Sequence, residues 1–448
     1  TAIAPKPSSI SPSTILRARR TTVSQTAPFS FVHEMIYHRA TFILATAIVA
    51  NALIPGNTHT TKDDRQVHKV HDADFQCTAD EDCNLNGHCL EDSVCECFKG
   101  WKGDDCGELN LMPMPAKSTP AYGQYPDGDG NGLASWGGSI WKDPENDKRW
   151  HLFVSEMTQG CGLDSWLRNS RIVHATSDDA MGPYKFEKEI IGFFAHEPTV
   201  VKVDEGYVMY KIGCADGAIT GSNGTGLVGP CTHCSNGTTF GDCPGTDQSY
   251  ERACQDILFA PTLDGPWERQ NMSLAKWNWT EANLGFESHA PVVLENGNIL
   301  TFTRSWGSPA PLPNSAIWLA TADSWNGSYH LVDSKLAAQP ALNNGMEDTF
   351  MFRDAAGYLH ALFHSWNNPY VGAHAFSRDG FNWTMADTAA FTLSTDVEGG
   401  SSITYVRRER PHLVLDDDLN PTHLLTAVTT DNGDLLDWSF THVQAISQ

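Results

Sequence analysis

Positive charge is scarce in this chain: 30 Lys and Arg stand against 54 Asp and Glu among 448 residues, a formal net charge of −24. That excess of negative charge opposes attraction to phosphate backbones and anionic lipid surfaces, so nucleic acid is not an expected partner. A membrane-spanning run is also missing. The only long apolar stretch, Ala40 to Ile54, has fifteen residues, short of the ~20 that a spanning helix needs. Helical periodicity is almost absent from about residue 110 onward, so the larger part of the chain reads as all-β. What is present suffices to fold. With 40% hydrophobic residues, 10% aromatic residues and 37 glycines, the chain can bury a sizeable core, which excludes wholesale disorder and a collagen-like fibre. The length suits about three domains at roughly 150 residues each, or one large all-β domain with a small companion.

The fifteen-residue apolar run reads as a secretion signal. Met35 stands before it, His38 and Arg39 give a modest basic flank, and Ala50-Asn51-Ala52 is an A-x-A-type cleavage site. An organelle transit peptide is the alternative. The protein proper is therefore expected to start at Met35, with a signal peptide over 35–54, a linker over 55–74, and a secreted, extracellular destination. Residues 1–34, rich in Ser, Thr and Pro and carrying Arg17, Arg19 and Arg20, read as a disordered or untranslated leader.

Twelve cysteines fall into two sets of six. Cys77, Cys83, Cys89, Cys95, Cys97 and Cys106 lie within thirty residues, denser than packing requires, so disulfides are expected to hold the segment together. Spacing alone allows about fifteen connectivities. The run Cys95-Glu96-Cys97-Phe98-Lys99-Gly100-Trp101, followed by Gly103 and Cys106, resembles the C-terminal half of an epidermal-growth-factor-like (EGF-like) module. The resemblance implies a module over 75–107 with bonds Cys77–Cys89, Cys83–Cys95 and Cys97–Cys106. Ala73 and Phe75 interrupt the polar run Asp72, Asp74 and Gln76, so no calcium site is expected there. A spacer role is favoured, with docking of another extracellular protein as the alternative. The second set is Cys161, Cys214, Cys231, Cys234, Cys243 and Cys254. Cys231-Thr232-His233-Cys234 suggests zinc, but the signal sequence and the even count favour disulfides. Six glycosylation sequons, at Asn223, Asn236, Asn271, Asn278, Asn326 and Asn382, agree with secretion.

Five segments in the remainder share one grammar: a polar cluster, a short strand-like run, a turn, then a second apolar strand. Their heads are Ser135-Trp136-Gly137-Gly138, His196-Glu197-Pro198, Ser288-His289-Ala290-Pro291, Glu347-Asp348-Thr349 and Arg408-Glu409-Arg410-Pro411. Downstream, a Gly-containing turn and an aromatic recur, as in Gly182-Pro183-Tyr184 and Gly265-Pro266-Trp267. About four strands per repeat and five repeats predict a five-bladed β-propeller over 108–448; a two-sheet sandwich would not demand the same motif order in each unit. Residues from roughly 213 to 254 break the rhythm and read as an insertion in the second blade. Each repeat head is expected to point into one pocket on the axis.

The pattern resembles the five-bladed propeller glycosidases, the superfamily that includes glycoside hydrolase families 43, 62, 32 and 117. That resemblance implies sugar-chain cleavage by carboxylates flanking the glycosidic bond, one protonated and one ionised. It implies Glu347 as general acid and Glu197 as base, with Glu287 a further carboxyl near the axis. Asp348 adjoins Glu347 and, in regular β structure, would point the opposite way. His196 and His289 are expected to orient the base or contact sugar hydroxyls. Arg408 or Arg410 would lower a carboxylate pKa or bind an acidic sugar. Trp136, Trp306 and Trp366 suit sugar stacking or core packing. Those families place an Asp at the head of the first blade, where this chain has Ser135-Trp136-Gly137-Gly138. The alternative function is therefore a non-catalytic carbohydrate- or protein-binding propeller. Asp416-Asp417-Asp418 reads as a solvated turn. No cofactor is expected, and no ligand spacing indicates a metal, a structural Ca2+ in the central channel included.

Overall fold

The computed structural model describes residues 75–116, 119–124, 132–158, 160–163, 166, 170–192, 195–213, 256–271, 285–306, 315–332, 346–365, 372–429 and 438–448. The chain divides into Thr1–His68, outside the described residues, and a compact unit Lys69–Gln448. The leader, the signal segment, the linker and, from residue 214 on, the insertion expected in the second blade all lie outside the described residues.

Four short strands build the cysteine module: β1 (Gly87–Cys89), β2 (Cys95–Cys97), β3 (Trp101–Lys102) and β4 (Glu108–Leu109). Disulfides join Cys77 to Cys89, Cys83 to Cys95 and Cys97 to Cys106. Cys161 is also disulfide-bonded, to a partner outside the described residues. Five antiparallel sheets follow in chain order. The first runs β5 (Ala134–Lys142), β6 (Trp150–Met157), β7 (Ser170–Ser177) and β8 (Lys185–Ile191); the second β9 (His196–Val203), β10 (Gly206–Ile212), β11 (Asp256–Ala260) and β12 (Glu268–Asn271). The third holds β13 (Gly285–Val293), β14 (Ile299–Trp306), β15 (Ser315–Ala322) and β16 (His330–Leu331); the fourth β17 (Met346–Arg353), β18 (Leu359–Ser365), β19 (Gly372–Ser377) and β20 (Thr384–Met385). After a separate hairpin, β21 (Ser394–Val397) and β22 (Ser401–Thr404), the fifth sheet holds β23 (Arg407–Leu415), β24 (Pro421–Thr429) and β25 (Ser439–Ala445). The first strand of each sheet packs beside the first strand of the next, and β23 returns to β5, so the sheets close into a five-bladed propeller.

Burial explains the sequence pattern of a blade. Inner and second strands lie between neighbouring sheets, so β18 is buried along its whole length and β6 at all but its first residue, and both read as near-continuous apolar runs. The outermost strand β8, Lys-Phe-Glu-Lys-Glu-Ile-Ile, is mostly exposed. Interblade clusters supply the core: Phe302, Phe363 and Trp383 meet between blades three and four, and Val154, Val173, Leu425 and Val443 between blades one and five. Each such side chain contributes about 1.5–3 kcal/mol by leaving water. The fifth blade departs from the four-strand expectation. The edge of β25 is instead met by the segment entering the propeller, through Met112 N to Ala445 O (2.9 Å) and Ala121 N to Thr441 O (2.9 Å). The ring is thus closed by chain from both ends of the propeller.

The cysteine module is not the free spacer favoured from sequence. Cys77, Cys83, Trp101, Cys106 and Leu109 share one buried cluster with Phe350, Phe352, Leu362, Leu413 and Leu424 of blades four and five. The Trp101 ring lies 5.2 Å from that of His374, Asp105 accepts a hydrogen bond from Thr388 (2.6 Å), and Glu81 pairs with Arg378. A spacing pattern shows that a module exists, whereas its docking depends on apolar faces meeting across distant sequence. Replacing both Cys97 and Cys106 by Ser should therefore unsettle the propeller itself. Loss of one disulfide, at about 2–5 kcal/mol, predicts a single thermal transition lowered by about 5–10 °C. The tryptophan-fluorescence melt is the measurement, and a propeller transition left in place would restore the spacer.

Candidate active site

Every inner strand carries the same irregularity near its head. Trp136 pairs with Ser155 and Ser139 with Phe153, so Gly137 and Gly138 together face one residue of β6. The same two-against-one bulge occurs at Glu197-Pro198, Ser288-His289, Asp348-Thr349 and Arg410-Pro411. At each bulge the first residue is left-handed: Gly137 (φ 57°), Glu197 (53°), Ser288 (53°), Asp348 (54°) and Arg410 (53°). Four of the five are not glycine, and such a conformation costs about 1–3 kcal/mol apiece, held only where the surroundings over-determine it. Glu197 shows how. Its N–H donates to Ser155 Oγ (2.8 Å), its carbonyl accepts from Arg410 Nη2 (3.1 Å), and its carboxylate accepts from Ser288 Oγ (2.7 Å).

In blades two to five the bulge turns a side chain toward the axis, and in the first blade the same position is Gly137. Arg410 Nη1 lies 3.2 Å from Glu197 Oε2, and blades five and two are not neighbours, so this contact crosses the centre. The same nitrogen lies 3.9 Å from Asp348 Oδ1. The Glu197 and Asp348 carboxyls therefore share one guanidinium nitrogen and stand no more than about 7 Å apart, close enough for both to face one glycosidic bond. Glu347 pairs with Arg304 and lies 3.9 Å from His364, which is 3.3 Å from Asp348. With a side chain 20% exposed, Glu347 is the most open carboxylate of the group; those of Glu197 and Asp348 are 9% and 4% exposed.

The acids do not share one electrostatic state. Burial pushes the Glu197 carboxyl up from its ordinary range, against the opposing pull of Arg410. Glu409, 2% exposed, is driven well above the carboxylate range by burial and then by the charges of Asp348, Glu347 and Glu197. Burial lowers His196, His289 and His364 to about 4, so all three imidazoles are neutral at pH 7.

Several expectations change on this geometry. Asp348 does not turn away from Glu347: the bulge breaks strand alternation and both carboxylates reach His364. Arg408 does not join the axis. It is 1% exposed, donates to Thr392 O and Gln444 Oε1, and lies over the Phe391 ring, because alternation places it on the face opposite Glu409. Trp136 is 4% exposed and packs with Met157, Tyr405, Val428 and Phe440, which makes it a core residue. His196 meets Ser170 Oγ (2.6 Å) and stacks on Trp166, and buried His289 lies beside Tyr210. Trp366 and the side chains of Trp306 and Glu287 lie outside the described residues. So do Asn223, Asn236 and Asn278 and the side chain of Asn271, while Asn326 and Asn382 sit exposed in turns.

Arg304 and His364 escaped the sequence reading, and Ser288 and Glu409 stood in repeat heads without a role of their own. Arg304 and His364 stand opposite Glu287 and Glu347 in the ladder, and Glu409 holds the same pre-bulge position as Glu347. Aligning the repeats on the bulge rather than on the first polar residue would have selected them. Asp348, His364 and Glu409 also place ligand atoms within 4.8 Å of one another, a donor set that suits a divalent cation. The Arg410 guanidinium already sets positive charge beside Asp348, and we assign no ion there.

A closed five-bladed propeller with a left-handed bulge at the head of every inner strand, four of them carrying a side chain, and a disulfide-bonded EGF-like module packed on two blades, defines the class of protein. The model of the Teneurin-like EGF domain matches residues 79–108. Among solved structures, the catalytic domain of the Coprinopsis cinerea GH62 alpha-L-arabinofuranosidase shares the fold at a TM-score of 0.50, with 11% identity over 75% of this chain and 98% of that one. A family 117 glycoside hydrolase of the marine bacterium Zobellia galactanivorans is similar at 0.47, with 13% identity over 75% and 89%. The Podospora anserina alpha-L-arabinofuranosidase, solved with cellotriose, is similar at 0.47, with 10% identity over 74% and 95%. No curated protein sequence matches the chain.

Proposed function

We propose that this protein is a secreted glycoside hydrolase that cleaves O-glycosidic bonds of a polysaccharide or oligosaccharide at the propeller axis. The observation that carries the reading is the pair Glu197 and Asp348, delivered by strained bulges to one nitrogen of Arg410, with the more open Glu347 next to Asp348 in the chain. Such chemistry needs one carboxyl that keeps its proton and one that has lost it. Glu197, raised by burial, suits the proton donor. Glu347, ion-paired with Arg304 and more exposed, suits the ionised partner that activates water or attacks. This reverses the roles that the family resemblance implies, and the reason is local: both carboxyls have a guanidinium nearby, but Glu197 is the more deeply buried, and its burial outweighs the pull of Arg410. EGF-like modules and disulfides are typical of extracellular proteins. No helix among the described residues is long and apolar enough to cross a membrane.

One observation favours the second reading, a non-catalytic propeller that recognises an extracellular carbohydrate or protein. The first-blade position of the ring is Gly137 and contributes no carboxylate. A panel of neutral and acidic polysaccharides incubated with the secreted protein separates the two. Release of reducing ends from one glycan is the expected result, and binding without release across the panel would establish the recognition module instead.

A further inference from the structure

The missing side chain at Gly137 has a counterpart on the neighbouring blade. A Cβ placed on Gly137 would lie 2.2 Å from Arg410 Cγ and 3.1 Å from its Cβ, so the Arg410 stem runs through the space that a first-blade side chain would occupy. The rest of Arg410 is committed to one target. Nη2 donates to Glu197 O (3.1 Å) and to Thr199 Oγ1 (3.2 Å), Nη1 lies 3.2 Å from Glu197 Oε2, and the residue is 4% exposed. One guanidinium from across the axis thus reaches both backbone and side chain of one strained residue, Nη2 by hydrogen bond to the carbonyl and Nη1 by charge beside the carboxylate.

We infer that Gly137 and Arg410 act as one device: the absent first-blade side chain opens the channel through which Arg410 reaches and positions Glu197. Arg410 is then a positioning residue, not a substrate ligand, and Gly137 serves by the space that it leaves as well as by its left-handed backbone. The groups that face Glu197 are Ser288 from β13, Asp348 from β17, Arg410 from β23 and its neighbour His196 on β9, with Glu409 of β23 and His364 of β18 close enough to feel its charge. Of these, Arg410 gives the largest pull toward the ionised form, so its removal leaves burial and Asp348 to raise Glu197 further. The inference deepens the glycosidase reading and rests on it in taking the axis as the working site.

The test follows Glu197 itself rather than turnover. In protein labelled with carboxyl-13C glutamate, with Glu197→Gln identifying the resonance, the Glu197 titration midpoint should rise by about one to three pH units in Arg410→Met, which keeps an apolar stem without the charge. Gly137→Ala should raise it in the same direction without altering any ionisable group. In an Arg410→Ala background, where Cγ is gone, Gly137→Ala should add less than about a third of its effect in the parent protein. Near-ultraviolet circular dichroism selects the variants that keep native packing, and Arg410→Gln, which also removes the charge, supplies a second probe with the same expected rise if Arg410→Met does not fold. An unmoved midpoint in Arg410→Met, or an equal effect of Gly137→Ala in both backgrounds, overturns the inference. Absence of glycan cleavage in the unaltered protein would sink the hydrolase reading but leave this coupling to be scored on its own.

Discussion

Glu197→Gln is expected to lower turnover of the natural glycan by about a hundredfold to ten-thousandfold while leaving glycan binding within a few-fold of the parent protein. The substitution keeps the shape that Ser288 and Arg410 hold and removes only the transferable proton. The leaving group decides between the two assignments of roles. A sugar hydroxyl departs poorly without protonation, whereas an acidic phenol departs unaided. Glu197→Gln should therefore recover most of its rate on an activated aryl glycoside, and Glu347→Gln should remain impaired on both substrates because the attack on the sugar carbon is still needed. The pH profile carries the same sign: activity requires protonated Glu197 and falls as pH rises through its elevated pKa. If Glu347→Gln is the variant rescued by the good leaving group, the roles revert to those implied by the family resemblance. If neither substitution changes turnover, the chemistry lies elsewhere.

Much of the architecture was legible because it depends on local chemistry that repeats. Turn residues at regular spacing separate apolar runs, and the same order in five units leaves few folds other than a propeller. The cysteine run with its Gly-aromatic pair was equally plain. The heads of the repeats were legible as the place where polar residues gather, but the orientation of each residue was not. Alternation along a regular strand sends Glu347 and Asp348 to opposite faces, and only the left-handed turn at Asp348 brings them together. Alternation would also put Arg408 and Arg410 on one face, and the left-handed bulge at Arg410 is what gives these two arginines of one short run unrelated surroundings. Nothing in composition marks a bulge at a glutamate or an arginine, because these residues rarely adopt positive φ. Docking of the cysteine module on blades four and five was hidden for another reason: the apolar residues that cover it, such as Phe350 and Leu424, read as ordinary strand interior.

Acid should unfold this protein well above the pH at which its carboxylates titrate. Burial lowers six histidines far below the unfolded value of 6.5: His196, His289 and His364 to about 4, and His174, His412 and His442 to about 3. A folded-state pKa below the unfolded one means that the unfolded chain takes up protons the native state refuses. The stability associated with these rings is complete above pH 6.5 and is lost as pH falls toward 4 and then 3. At pH 5 each ring withholds roughly 2 kcal/mol from the folded state, and six together about 10 kcal/mol, comparable with the entire stability of an ordinary domain. Glu197 and Glu409 act with the opposite sign. Their raised folded pKa values make the native state the better proton acceptor, so their contribution grows as pH falls toward 4.5. Two such groups offset only part of the loss from six histidines. Urea unfolding followed from pH 8 to pH 4.5 should therefore show steadily falling midpoints below pH 6.5 and no native baseline near pH 4.5. His412→Phe, which keeps a ring against Phe350 and removes one titrating site, should flatten that decline. Midpoints that hold constant or rise down to pH 4.5 would mean that these rings are hydrated enough to charge within the fold.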